Sequence, residues 1–500
     1  SAASDVYKRQ MLECPLDIPK SFKDKYDYQE KIVMENITIK DIVEACSGQL
    51  LCGDENKVIK EFSIDSRSGS EDSIFVPIIG ERVDAHKFID GALKINGATF
   101  TSEHDEPLEG FENKPWIKVA DTVEAMQKVG TFYRNRMNLP VVAVTGSVGK
   151  TTTREMISTV LASQKKVFQT IGNQNSQIGV PLTLSHLTRE DEIAVLEIGM
   201  SERGQIEKLT NMIRPNVAVV TMIGVSHIAQ LKTQENICLE KMDIVKGLPE
   251  DGMVFLNGDD KFLAPYRGKL SHKTFFYGMD KACDYRAENV HVKDGQTIFH
   301  FFYKEGKVIK DMEVVLGTMG EHNVRNALVA LGVAHQMGLD MKAAAKALVT
   351  FHGQRQQMHT LKSCTLIDDT YNASPDSMKA SVSVLSSMEG VKGRRIAALA
   401  DMLELGEKER EYHYEVGKFI AGTQVDEVAA YGELSEEILK GVEDNNERIV
   451  VKHFESRDAL KDYLLTYVHP DDVLLLKASN GMKLKEIAEA FLQNEKKVLK

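Results

Sequence analysis

Val141-Val-Ala-Val-Thr-Gly-Ser-Val-Gly-Lys-Thr-Thr-Thr153 is the stretch on which the reading of this chain turns. Val141, Val142, Ala143 and Val144 form an apolar run of the kind buried in a parallel sheet. Thr145, Gly146, Ser147, Val148 and Gly149 then make a glycine-rich turn, and Lys150, Thr151 and Thr152 open a helical pattern that runs to about Ala162. Glycines let backbone N–H groups approach phosphate oxygens, and a helix N-terminus adds positive potential. Lys150 would neutralise phosphate charge, and the Thr151 hydroxyl could reach a magnesium ion. The general phosphate-loop pattern has a glycine six residues before its lysine. Val144 stands at that place, so the loop is a shortened variant. The alternative is a tight strand–helix turn with no ligand.

Length and composition bound what surrounds this loop. Five hundred residues predict about three domains. Hydrophobic content of 42% and charged content of 27% are those of a globular protein. A net charge of −12 argues against a nucleic-acid partner. No apolar run is long enough for a membrane span, so no membrane association is expected. Six cysteines are scattered without paired short spacings, and read as reduced thiols in a cytoplasmic protein. Residues 1–33 are polar and aperiodic and read as an extension, with ordered patterning starting after Met34.

Working outward, the chain alternates helices and strands. Helices are expected at Lys40–Cys46, Asp84–Leu93 and Asp121–Arg136, with strands at Ile64–Arg67, Ser73–Val76 and Gly97–Thr101. Beyond the loop, Glu192–Ile198, Ala218–Ile223 and Val254–Asn257 read as strands, and Thr233–Lys246 as a helix. Alternating residues over 285–316 predict antiparallel strands. Apolar helices are expected at Asn323–Met337 and Met341–Val349. From Phe351, strands at Leu366–Ile367, Arg395–Leu399, Glu427–Ala430 and Val473–Leu476 alternate with helices, the spacing of a doubly wound parallel sheet. The fold class is α/β in three domains: a small α/β domain over 34–117, a central phosphate-loop domain over 118–350 and a Rossmann-like domain over 351–500. The central sheet is expected to be mostly parallel with an antiparallel section.

Several polar residues stand where a strand or helix would present them to a ligand. Glu197 ends the apolar run Ala194-Val-Leu-Glu and could hold magnesium beside the loop, or cap a turn at the surface. His227 follows another buried strand; a neutral histidine can ligate a metal, but alone it is more often structural. Lys241 would repel a cation unless carbamylated. Asn173 and Asn175 lie in an amide-rich loop that suits substrate oxygens or a plain connector equally. Asn323 and Asn326 could contact an adenine edge, or Asn323 could be an N-cap. Asp368 and Asp369 end an apolar strand and are followed by Tyr371 and Asn372, and Arg355 precedes it as a bidentate phosphate donor.

Together these residues resemble the Mur ligases, ATP-dependent amino-acid ligases of peptidoglycan synthesis. The resemblance runs from about Met34 to the end. It implies that the N-terminal domain holds a UDP-sugar peptide through Asp65, Ser66 and Arg67, and that the central domain holds ATP as co-substrate. Thr151 and Glu197 would bind one magnesium ion, His227 and carbamylated Lys241 a second. Lys150, His227 and Lys241 would be catalytic, and Asn323, Asn326, Arg355 and Asp369 would contact the nucleotide. Asn173, Asn175, Tyr371 and Asn372 would face substrate. Residues 368–377, 400–413 and 64–88 resemble the branch whose substrates are UDP-N-acetylmuramoyl-tripeptide and D-alanyl-D-alanine; a sibling acceptor or a non-catalytic homologue is the alternative. A monomer is expected. Ser374, Ser176, Gln205, Ala85 and Asn480 depart from the family pattern, mostly in substrate-facing stretches.

Overall fold

The computed structural model describes residues 34–80, 82–293 and 295–498. The expected extension, 1–33, lies outside the described residues. The described residues form two compact units, each assembled from separate segments: those within 34–145, 165–218 and 242–253 in the first, and those within 146–164, 219–241 and 254–498 in the second.

In the first unit a five-stranded sheet has the order Gln49–Cys52, Trp116–Lys118, Ala98–Thr101, Ser73–Phe75, Glu61–Ser63. All pairs are parallel except the first, at the Gln49–Cys52 edge. Phe75 and Trp116 bury against Ile89, Ala92 and Leu93 of the helix that crosses it. The helix Ile39–Cys46 starts where Thr38 and Asp41 exchange side-chain and backbone hydrogen bonds, a capping box. The helix Thr122–Arg136 starts at Asp121, whose carboxylate accepts from Glu124 N. Further on, Val141–Thr145, Ile193–Glu197 and Val167–Gln169 pair in parallel, with Glu197 in register with Val144. Val141 to Val144 are fully buried, as the unbroken apolar run required.

The expected strand at Ile64–Arg67 is absent; the strand is Glu61–Ser63. Asp65 ends it by turning the chain: its carboxylate accepts from Arg67 N at 3.0 Å. An Asp that bonds the backbone two residues on stabilises a turn instead of a sheet ladder.

The second unit opens with the helix Lys150–Leu161. Its strands Tyr285–Lys293, Gln296–Glu305 and Val308–Leu316 are antiparallel, as the alternation over 285–316 predicts. The helix Glu321–Gln336 follows, buried along most of its length. It begins at Gly320, so Asn323 is not its N-cap; the Asn323 amide instead donates to Met319 O at 2.7 Å. The helix starts earlier than expected, at Glu321, because Gly320 caps it with a positive φ of 105°.

The same unit carries a six-stranded sheet in the order Gln357–Thr360, Thr365–Asp369, Val473–Lys477, Arg395–Ala400, Glu427–Tyr431, Val450–Phe454. Only the Gln357–Thr360 edge is antiparallel. Successive strand residues point to opposite faces. Ile367, Ala397, Leu399 and Leu475 pack with Met378, Val382, Val416 and Ile438 on one face. Leu366, Ile396, Ala398 and Leu476 pack with Leu460, Leu464 and Ile487 on the other. Burial on both faces explains the apolar runs and gives the doubly wound arrangement. Neither edge strand, Gln357–Thr360 or Val450–Phe454, was expected: the first is polar and mostly exposed, and the second has no fully buried residue. No helix of the described residues is long and apolar enough to cross a membrane.

Ser374 caps the helix Pro375–Ser387, its hydroxyl accepting from Ser377 N, in a capping box with Ser377. Serine and asparagine cap about equally well. Ser374→Ala is therefore expected to destabilise the protein by about 1 kcal/mol, and Ser374→Asn by no more than a few tenths. Urea unfolding of the two variants checks this.

Candidate active site

The loop is built by two glycines. Gly149 is the N-cap of the helix Lys150–Leu161 with φ 86°, a conformation that costs a side-chain-bearing residue about 1 kcal/mol or more. At Gly146, φ is 151°, and an added Cβ would lie 1.8 Å from Thr221 Oγ1. That hydroxyl is committed: it donates to Val148 O at 2.6 Å. Ser147 N donates to Met222 O at 2.8 Å. The loop is thus stitched to residues 221–222 and leaves no room for a methyl. Gly146→Ala is expected to cost more than about 2 kcal/mol, since the clash and the backbone strain add. A loss below about 0.5 kcal/mol in thermal unfolding would contradict the close approach.

Lys150 Nζ donates to Gly146 O at 2.8 Å, so its charge lies over the loop. Thr145 Oγ1 and Ser147 Oγ are buried and have no hydrogen-bond partner among the described residues. Thr152 follows in the helix's first turn. Thr153 Oγ1 donates to Asn326 Oδ1 at 2.9 Å, and Asn326 Nδ2 donates to Asn323 Oδ1 at 3.3 Å. The two asparagines, three apart on one helical face, are both buried and sit against the loop's helix.

Arg355 joins two further predicted residues. Its Nη2 donates to Thr151 Oγ1 at 3.5 Å, and its guanidinium lies 3.2 Å above the Tyr371 ring centroid. Tyr371 is 43% exposed, so a stacked arginine orders it from one side only. Asn372 Oδ1 accepts from Ala373 N at 2.9 Å, and its carbonyl accepts from Lys477 Nζ at 3.0 Å. Asp368 serves the turn: its Oδ1 accepts from Thr370 N and Oγ1. Asp369 faces inward, where Lys477 Nζ and Ser381 Oγ each donate to its Oδ2 at 2.6 Å.

His227 follows Ser226 with a left-handed φ of 64°. Its Nδ1 lies 3.5 Å from Glu404 Oε2, an ion-pair distance at which no hydrogen bond forms. Burial pulls its pKa down, partly offset by Glu404. Lys241 is 1% exposed. Burial, reinforced by the charge of Lys150, pulls its pKa well below the ordinary lysine value, while Glu240 opposes the shift.

The remaining predicted residues belong to the first unit. Glu197 is buried at its strand end, and Asn175 Nδ2 donates to its Oε1 at 2.6 Å. Asn173 O accepts from Asn175 N at 2.8 Å, which fixes the amide loop locally. Arg67 grips Asp65 with Nε at 2.9 Å and Nη2 at 2.8 Å, and Ser66 lies between them. In the same unit Asp84, His86 and Glu103 bring three ligand-type groups within 4.8 Å of one another. His86 Nε2 accepts from Ser102 N at 3.0 Å, so Nδ1 carries the hydrogen that faces Asp84 at 2.7 Å. Both ring nitrogens are engaged, and the group is a brace for the loop rather than a metal site.

Sequence reasoning missed Lys477, Ser381 and Glu404. Lys477 carried a readable signal, a charge ending the apolar run Val473-Leu-Leu-Leu-Lys, the same signal that singled out Glu197. Ser381 and Glu404 carried none.

These features define a phosphate-loop α/β protein with a doubly wound sheet attached. Two family models match it: the Mur ligase middle domain over residues 144–334, and the Mur ligase glutamate ligase domain over 354–480. The UDP-N-acetylmuramoyl-tripeptide--D-alanyl-D-alanine ligase of Bacillus subtilis is 35% identical over 91% of this chain and 98% of its own length. A crystal structure of MurF from Acinetobacter baumannii is 26% identical with a TM-score of 0.83, covering 92% of this chain and 99% of that one. MurF ligase from Thermotoga maritima, solved in complex with ADP, is 27% identical with a TM-score of 0.76, over 87% and 98% of the two chains. The chain belongs to the Mur ligase family and has its three-domain α/β architecture.

Proposed function

We propose that this chain is the ATP-dependent ligase that joins D-alanyl-D-alanine to UDP-N-acetylmuramoyl-tripeptide in the cytoplasm. The observation that carries the reading is the near full-length match to a relative with that named activity, together with a phosphate loop whose lysine lies over its carbonyls. A carboxylate resists attack by an amine because its oxygens leave poorly. In the proposed reaction a tripeptide carboxylate oxygen attacks the γ-phosphorus of ATP and expels ADP. The dipeptide nitrogen then attacks the acyl carbon, the carbon–oxygen bond breaks, and inorganic phosphate and a proton leave.

Lys150 and the loop amides stabilise charge on the moving phosphoryl group. Arg355, held by Tyr371 beneath and Thr151 beside it, orients phosphate oxygens. Asn323 and Asn326 face the nucleotide from their helix, and Asp369 from its strand end. Asp65, Ser66 and Arg67 face the UDP-sugar, and Asn173, Asn175 and Asn372 the peptide. The donor types suit magnesium: Thr151 and Glu197 each offer hard oxygens, and His227 Nδ1 is a buried atom with no hydrogen-bond partner among the described residues. When bound, magnesium would neutralise phosphate charge. Lys241 joins the donors only as a carbamate, which forms from a neutral amine, and its lowered pKa favours that form.

ADP release measured with each substrate omitted in turn tests the function. Release is expected only when the UDP-tripeptide and D-alanyl-D-alanine are both present; equal release with either alone overturns the reading. Lys241→Ala is expected to lose at least about a hundredfold in rate. A small exogenous carboxylate should restore part of it, and failure of every carboxylate tried would contradict the carbamate.

A further inference from the structure

Gln356 follows Arg355, and no motif accounts for it. Its backbone takes a left-handed φ of 51°. A non-glycine residue held there is strained and persists only where the surroundings determine it. The surroundings are two hydrogen bonds. His322 Nε2 donates to Gln356 Oε1 at 3.2 Å, and Gln356 Nε2 donates to Ser381 Oγ at 3.0 Å. Burial holds the His322 pKa down at about 4, so the ring is neutral at pH 7 and its single N–H points at Gln356. Ser381 Oγ donates in turn to Asp369 Oδ2 at 2.6 Å, where Lys477 also arrives. The Ser381 hydroxyl has a rival acceptor, Ser377 O at 3.0 Å. The shorter, charge-assisted bond to the carboxylate prevails.

Every donor in this chain points the same way, from His322 through Gln356 and Ser381 to Asp369. Such aligned bonds polarise one another. His322 lies in the first turn of the helix that presents Asn323 and Asn326, and Ser381 lies on the helix Pro375–Ser387. The neighbouring Gln354 N donates to Glu155 Oε2 at 3.1 Å, on the helix of the phosphate loop. Residues 354–356 are therefore pinned to three elements at once, with Arg355 in the middle.

We propose that Gln356 is a positioning residue for ATP: its amide locks Asp369 and Arg355 to the helix carrying Asn323 and Asn326. The proposal rests on the reading of Asp369 and Arg355 as nucleotide contacts. The neutral amide is specific to the task, because a single side chain must accept from a histidine and donate to a serine.

The test uses the full chain with Mg-ATP and Mg-ADP. Gln356→Gly accepts the left-handed backbone freely and removes the side chain with its amide. The relief of backbone strain offsets part of the loss at His322, so the variant is expected to stay folded with a thermal midpoint near the parent's, to raise KM for ATP and the calorimetric Kd for ADP about five- to tenfold, and to change kcat less than about twofold. Ser381→Ala should weaken ADP similarly, and the double variant should lose no more than the larger single effect, because both break one chain. Parental affinity in Gln356→Gly, or strictly additive losses in the double variant, overturns the proposal. Asp369→Asn separates the two levels. If it weakens ADP while Gln356→Gly does not, the positioning role fails and the nucleotide reading stands. If Asp369→Asn binds ADP as the parent does, the reading of Asp369 fails, and the proposal with it.

Discussion

Lys150→Ala is expected to lower kcat by about 10²–10³, the usual effect of removing one preorganised group that stabilises transferred charge. The fold should not change. Lys150 is half-buried in the first turn of its helix, and its bond to Gly146 O is replaceable by water. Alanine is also the better helix former by a few tenths of a kcal/mol. A second effect acts in the same direction. The charge of Lys150 helps lower the Lys241 pKa, so removing it lets that pKa rise and disfavours the neutral amine that a carbamate needs. Steady-state ADP release paired with thermal unfolding checks the prediction. A rate within about threefold of the parent would remove Lys150 from the mechanism.

Lys477→Met should have the largest effect on stability. The Lys477 side chain is 2% exposed and Asp369 9%, and their atoms meet at 2.6 Å. Methionine keeps the length and the packing of the aliphatic stem but removes the charge. A buried carboxylate then faces only the Ser381 hydroxyl, and the Asn372 carbonyl loses its donor. Breaking a buried pair from one side costs about 3–5 kcal/mol, far more than the pair contributes relative to an apolar replacement. Against the few kcal/mol by which most domains are stable this is a large fraction, equivalent to a fall of about 10 °C in the unfolding midpoint. Replacing both partners, Lys477→Met with Asp369→Leu, should recover much of the loss, since no charge is then left buried. Denaturant unfolding of both variants measures this, and a loss under about 1 kcal/mol in Lys477→Met would show the carboxylate to be solvated.

Much of the fold was readable because its signals are local. A buried parallel strand must be apolar on both faces, and Val141–Val144, Ile396–Leu399 and Val473–Leu476 are. An antiparallel hairpin with one wet face must alternate, and 285–316 does. Errors arose where a local side-chain bond competed with the regular pattern. Asp65 converted an expected strand into a turn, and Gly320 started a helix ahead of Asn323. Ser374, which departs from the family pattern, turns out to cap a helix. Lys477 was overlooked although a charge closing an apolar strand had already marked Glu197.

The sequence by itself determined the phosphate loop. Glycine at 146 and 149, lysine at 150 and the switch from apolar run to helical spacing leave one backbone path, because each requirement involves near neighbours in the chain. The tertiary structure alone decided which distant groups complete the site. Lys477 meets Asp369 across 108 residues and Thr153 meets Asn326 across 173. Gln356 reaches His322 in one direction and Ser381 in the other. Pairings at such separations depend on which helix packs on which face of a sheet, and no spacing in the sequence encodes that choice. Packing also left Gln356 and Glu404, among others, in left-handed backbone that their types do not favour. Such strain holds only where the assembled surroundings supply the bonds that offset it.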